Sequence, residues 1–108
     1  MNDAIDQIED NLINAVNTGN IDRTEFYMGK LSEYQNVEEI KGLILMASAR
    51  AGQLEVVKWI IEIYEVDLKK YGADTIENIE EGRISNDENH VYDEIEKYLE
   101  KCGIFVDI

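Results

Sequence analysis

The side chains with the greatest catalytic potential are the only histidine, His90, and the only cysteine, Cys102. A histidine that acts as a general base needs an orienting acid and a nucleophile beside it. Asp87 and Asp93 lie close to His90 in sequence, but no serine or cysteine has a suitable spacing from them. Cys102 falls on an apolar helical stripe with only Lys101 as a neighbouring cation, so we expect its thiol to pack rather than react. We predict that the chain is not an enzyme.

Metal and cofactor sites are not expected either. One histidine and one cysteine do not supply the four ligands of a structural zinc site. The acids around residues 87–94 lack the spacing and the glycine of a calcium-binding loop. The glycines form no phosphate-binding loop. We therefore predict no cofactor, no metal and no small-molecule ligand.

Acidic side chains dominate the composition. The 108 residues include 24 acids and 10 bases, a formal net charge of −14, while 44% apolar residues are enough for a folded core. The charge is −5 over residues 1–35, −1 over 36–72 and −8 over 73–108. Such a field disfavours nucleic acid and anionic membranes as partners and favours another protein with a basic surface.

Tyrosines accompany the acids near the C-terminus, and tyrosine is enriched at binding surfaces. An acidic face for partner binding is therefore predicted, although a solvated surface that only keeps the protein soluble is the alternative interpretation. The face comprises Glu80, Glu81, Asp87, Glu88, Asp93, Glu94, Glu96, Tyr92 and Tyr98.

The elements that must position these residues are helices. Apolar spacing predicts helices over residues 3–16, 22–34, 37–50, 54–64 and 90–102, and a short helix that Asp74 caps and that ends at Gly82. Phe26 and Tyr34 are expected to be buried in the second helix. Gly29 lies inside it, and a close neighbouring helix would explain that glycine.

A short motif recurs along the chain. Residues 15–22 are echoed by residues 48–55, with Gly19 and Gly52 separated by 33 positions, and residues 78–85 form a weaker third copy around Gly82. A fixed period of this size is typical of stacked helix-turn-helix units. We predict an all-α fold, a single domain over residues 1–108, and a short solenoid of about three units at roughly 3–35, 37–68 and 73–103.

The central unit resembles an ankyrin repeat, most closely over residues 45–62. This segment has a leucine, a helix that ends in small residues, a glycine, and a second helix with paired valines. Residues 92–103 resemble the second helix of another such repeat. Residues 43–46 replace the family's Thr-Pro-Leu-His helix start, and the connectors lack clear hairpin residues. The resemblance implies a protein-binding scaffold without catalytic residues.

Two functions remain open from the sequence. The first is a small acidic inhibitor that docks the basic surface of a nucleic-acid-acting protein, of anti-defence (anti-CRISPR), immunity or antitoxin type, with nucleic-acid mimicry as one mode of docking. The second is a general adaptor that binds its partner through an apolar concave face, where Met46, Trp59 and the central tyrosines would matter. The N-terminal residues are acidic, and no apolar run approaches the roughly 20 residues that span a bilayer, so we expect a cytoplasmic protein.

Overall fold

A computed structural model describes residues 3–85 and 90–104 of the chain. This part of the chain is all-helical and contains no strand, which confirms the predicted fold class. An ankyrin-type solenoid stays a prediction. The helices are α1 (Asp3–Asn17), α2 (Ile21–Leu31), α3 (Val37–Ala51), α4 (Leu54–Glu62), α5 (Leu68–Ser85) and α6 (Val91–Lys101).

The recurring glycine turn has the same conformation in both strong copies. Gly19 and Gly52 adopt left-handed φ values of 71° and 72°. After each glycine the next amide donates to a carbonyl five residues earlier, at 2.9 Å in both cases, which is the Schellman arrangement. Gly103 ends α6 in the same way, with φ 95°. A side chain at any of these glycines would strain the backbone, so the 33-residue period reflects a repeated physical requirement.

The third copy of the motif does not form a turn. The short helix predicted from Asp74 to Gly82 is wrong, because α5 runs without a break from Leu68 to Ser85. Its cap is Asp67, whose Oδ1 accepts the amides of Lys69 and Lys70 at 3.1 and 3.2 Å. The predicted cap, Asp74, lies seven residues after the observed one, which is about two helical turns.

Helices that follow one another in sequence contact each other in three pairs, and we call each pair a layer; the most extensive contact, α3 with α5, joins two different pairs. The first layer is α1 with α2, the second is α3 with α4, and the third is α5 with α6. The first helices also pack on one another, α1 on α3 and α3 on α5, and α4 packs on α6. All six helices contribute to one cluster of buried apolar side chains. Each layer therefore buries its apolar faces against the layer beside it.

Two glycines allow α5 to approach α3 closely. A Cβ atom on Gly42 would collide with the ring of Tyr71, and a Cβ atom on Gly82 would collide with the carbonyl oxygen of Arg50. The first contact lies towards the start of both helices and the second towards their ends, so α3 and α5 run parallel. The two glycines inside these helices are thus explained by packing rather than by backbone conformation.

Burial in α2 differs from the prediction. Thr24, Met28 and Leu31 face the core, whereas Phe26 and Tyr34 are 56% and 58% exposed. Tyr34 lies beyond the end of α2 at Leu31, and Phe26 lies on the side of the helix opposite to the buried residues. The close neighbour expected at Gly29 is also wrong, since a Cβ atom there would meet nothing within 4 Å.

Candidate functional site

The predicted acidic face is divided between α5 and α6. Glu80 and Glu81 are exposed on α5, Asp93 and Glu94 are exposed on α6, and Glu96 is half-buried there. Two further predicted residues, Asp87 and Glu88, lie outside the described residues. The structure therefore describes five of the seven predicted carboxylates.

Arginines neutralise three of these five carboxylates. Arg83 forms ion pairs with Asp93, at 2.9 Å, and with Glu96. The hydrogen bond to Glu96 is the main reason that the pKa of Arg83 is raised. Arg50 reaches Glu81 from α3, with an N–O distance of 3.2 Å. Of the five described carboxylates of this face, only Glu80 and Glu94 form no ion pair within the described residues, so the field of this face is weaker than the sequence count suggests.

Tyr92 is not a surface residue, and its predicted place in the acidic face is wrong. The side chain is fully buried, and its hydroxyl donates to the carbonyl oxygen of Arg50 at 2.8 Å. It shares the core-facing stripe of α6 with Ile95 and Leu99, at the i, i+3, i+7 spacing of one helix face. Val91, the residue before Tyr92, is half-buried.

Tyr98 is half-buried and joins two layers. Its hydroxyl donates to the Glu62 carboxylate of α4 at 2.7 Å. The Tyr64 hydroxyl makes the corresponding bond one layer earlier, donating to Glu25 of α2 at 2.7 Å. Burial first, and then the bond to Glu62, raises the pKa of Tyr98; the bond to Glu25 is the main cause of the raised pKa of Tyr64. These tyrosines connect the outer helices and leave fewer free hydroxyls for a partner.

A groove of about 580 Å³ crosses the outer side of α1, α3 and α5. Its floor is mostly apolar and half-exposed, and polar side chains stand at one end. The lining residues are Ile13, Asn17, Leu43, Met46, Ala47, Arg50, Ala51 and Asn78. We call this surface the first-helix face, because the first helix of every layer contributes to it. Sequence reasoning named Met46 for an apolar face but missed Ile13, Leu43 and Asn78.

The repeat brings equivalent positions of α1 and α3 into this groove. Ile13 and Met46 are 33 residues apart, as are Asn17 and Arg50. The last two also share a backbone role, since each carbonyl accepts a bond from a side chain of the next layer. The donor is Gln53 Nε2 at 2.7 Å for Asn17 and the Tyr92 hydroxyl for Arg50. The period that marks the glycine turns could thus have identified the groove residues as well.

Carboxylates continue the groove towards the starts of its helices. Asp6 and Asp10 are both exposed. They lie on the same stripe of α1 as Ile13, because residues spaced by three, four or seven share one helix face. Exposed Glu39 precedes Leu43 on α3 in the same way. Asp74, also exposed, precedes Asn78 on α5. One end of the first-helix face is therefore acidic.

The other end of this face holds Arg50, which is the basic residue among those that line the groove. Its guanidinium is paired with Glu81, and both side chains are more than half exposed. Because the pair is mutually neutralised, Asp6, Asp10, Glu39 and Asp74 set the charge of the surface. An apolar floor beside a negative end is suited to a segment that carries both apolar and basic side chains.

Catalytic geometry is not found among the described residues. His90 precedes α6 and Cys102 follows it. At a rise of about 1.5 Å per residue, the two are separated by roughly 18 Å along the helix axis. Within residues 3–85 and 90–104 no group of three or more histidine, cysteine or acidic side chains could hold a metal ion. No buried side-chain nitrogen or oxygen in these residues lacks a hydrogen bond.

None of the helices in the described part of the chain has the length and apolar content needed to cross a membrane. A comparison with protein-family models, curated proteins and solved structures finds no match.

Proposed function

We propose that this chain is a non-catalytic protein-binding module, an ankyrin-like helical repeat that holds a basic segment of a partner protein on its first-helix face. The groove that crosses all three layers carries the proposal. Repeat proteins bind through such continuous surfaces, to which every unit contributes at equivalent positions. Here Ile13 and Met46 are equivalent positions, and both line the groove.

The charge of α1 favours a basic partner. Between Asp3 and Asn17 the first helix contains four acids and no base. Two of these acids, Asp6 and Asp10, lie on the groove stripe and have no ion pair within the described residues. A partner segment that places Lys or Arg beside them and an apolar side chain over Leu43 and Met46 would complement both features. Burial of these half-exposed apolar side chains would supply affinity, and the acids would supply speed and specificity.

An acidic inhibitor of a nucleic-acid-acting protein is the second candidate, and the net charge of −14 favours it. In that case the partner presents a nucleic-acid-binding groove rather than a short segment. Duplex DNA would compete with this chain for such a partner, whereas it would not compete for a segment that has no role in nucleic-acid binding. A competition assay with duplex DNA therefore separates the two candidates.

Two double variants with the same charge change test the choice of surface. Asp6→Asn with Asp10→Asn removes two exposed acids from the first-helix face. Glu80→Gln with Glu94→Gln removes the two unpaired acids of the predicted acidic face. Partners are captured from native lysate at low and high salt and identified by mass, and their affinity is then measured for each variant.

We expect the α1 variant to weaken binding about tenfold and the α5/α6 variant to change it less than about threefold, because only the first pair contacts the partner. Leu43→Gln with Met46→Gln should weaken binding by a similar factor. Ile63→Gln with Ile84→Gln changes two exposed apolar residues that do not line the groove, and it should leave binding unchanged. A stronger loss from the α5/α6 variant would place docking on the predicted acidic face instead. Equal affinity for both acid variants at both salt concentrations would contradict charge-based docking altogether.

A further inference from the structure

A second cavity lies between α4 and α6, away from the first-helix face. It has a volume of about 300 Å³ and is lined by Leu54, Lys58, Glu94, Lys97, Tyr98 and Lys101. Three of the ten basic residues of the chain therefore line one small cavity. In a protein with a net charge of −14, this local excess of positive charge calls for an explanation.

Within the described part of the chain, the three lysines of this cavity form no ion pair. Four ion pairs are formed within residues 3–85 and 90–104, and they use Lys41, Arg50 and Arg83 as the cations. Glu62, four residues after Lys58 on the same face of α4, instead accepts the Tyr98 hydroxyl. The cavity lysines thus keep their charge available although 24 acids are present in the chain.

The arrangement gives the cavity a cationic lining and an apolar wall. Lys97 and Lys101 are spaced by four on α6, so they point to the same side. Lys58 approaches from α4 and lies 5.8 Å from the centre of the Tyr98 ring, which favours its position through a cation–π contact. Leu54 and the Tyr98 ring form the apolar wall, and Glu94 is the one carboxylate of the lining.

We propose that this cavity binds a phosphate group, either as free phosphate or on an organic ligand. Lysine ammonium groups are compact point charges that bind phosphate oxygens, and three of them exceed the single opposing charge of Glu94. The proposal is independent of the first-helix face, because none of the cavity residues lines that groove. A ligand here would be anionic, the opposite of the partner proposed above.

Amide chemical shifts of the full chain, measured by NMR while inorganic phosphate or phenyl phosphate is added at constant ionic strength, test the proposal. We expect saturable shifts at residues around Lys58, Lys97 and Lys101. Tighter binding of phenyl phosphate would identify an organic phosphate that uses the apolar wall. Equal binding of the two probes would identify free phosphate.

A matched pair of variants separates a site from general charge. Lys58→Gln with Lys97→Gln and Lys101→Gln should weaken phosphate binding about tenfold or more, since each pairing is expected to contribute modestly. Lys30→Gln with Lys69→Gln and Lys70→Gln changes the net charge equally and should leave affinity nearly unchanged. Circular dichroism would establish that both variants are folded. Shifts that do not saturate, or an equal loss in both variants, would overturn the proposal.

Discussion

The substitution of Gly82 by alanine tests the packing of α5 against α3. Gly82 is buried inside α5, and a Cβ atom there would lie 2.7 Å from a ring carbon of Tyr92 and would collide with the Arg50 carbonyl oxygen. The oxygen belongs to the backbone and cannot move aside without separating the two helices. Alanine would gain about 1 kcal/mol of helix propensity, but overpacking of this kind costs about 1–3 kcal/mol or more. Because the contact is with a backbone atom, we take a cost of about 3 kcal/mol and expect a net loss of about 2 kcal/mol.

Gly29 provides the matched control for this substitution. It also lies within a helix, α2, but it is exposed and a Cβ atom would meet nothing within 4 Å. Gly29→Ala should therefore raise the free energy of unfolding by up to about 1 kcal/mol, because only the propensity gain remains. The same chemical change thus has opposite signs at two helical positions.

Urea and thermal unfolding, followed by circular dichroism at the helix band, measure both variants. For a domain of this size, 1 kcal/mol corresponds to about 4 °C or more in the midpoint of thermal unfolding. We expect Gly82→Ala to unfold below the wild type and Gly29→Ala above it. If Gly82→Ala were as stable as Gly29→Ala, α5 could not approach Arg50 as closely as described, and the parallel packing of α3 and α5 would be refuted.

Three further results are expected. The pKa values of Tyr64 and Tyr98 are raised, so the folded state favours their neutral phenols, and this contribution to stability is complete below pH 10.0 and is lost as the pH rises above it. Absorbance titration should show both hydroxyls ionising later than free tyrosine. Tyr64→Phe and Tyr98→Phe should each remove one of these two late ionisations. Arg83→Gln should lower the free energy of unfolding by about 0.5–1 kcal/mol at low salt and by less at high salt, since its ion pairs are partly exposed. Gly19→Ala should cost about 1–2 kcal/mol in urea unfolding because of its left-handed φ, and no loss would contradict the turn geometry.

The helices were predictable wherever the signals for their ends are local. The period of 33 residues located the turns at Gly19 and Gly52, because a left-handed helix end leaves glycine as the favoured residue. The prediction of a third turn at Gly82 is wrong for a physical reason. A glycine can serve either a turn or a close approach of two helices, and only the position of Arg50 in space decides between these uses.

Burial within a helix was harder to predict than the helix itself. Phe26 has an apolar ring at a plausible spacing, yet it is exposed and has Lys30 over the ring at 5.1 Å. Tyr92 has a polar hydroxyl and acidic neighbours, yet it is fully buried. One rotation step of 100° moves a side chain from solvent to core, and the direction of the core depends on neighbouring layers that spacing does not reveal.

The same limitation affected the prediction of the candidate site. The number of acids favoured the C-terminal segment as the binding surface. That number does not reveal that Arg50 of α3 and Arg83 of α5 form ion pairs with three of its carboxylates. The first helix has fewer acids and was given no role, although no base accompanies them between Asp3 and Asn17. For an acidic protein the informative quantity is the number of carboxylates without a partner on one continuous surface. By that measure Asp6 and Asp10, beside an apolar groove, are stronger candidates for docking a basic segment than the longer acidic stretch.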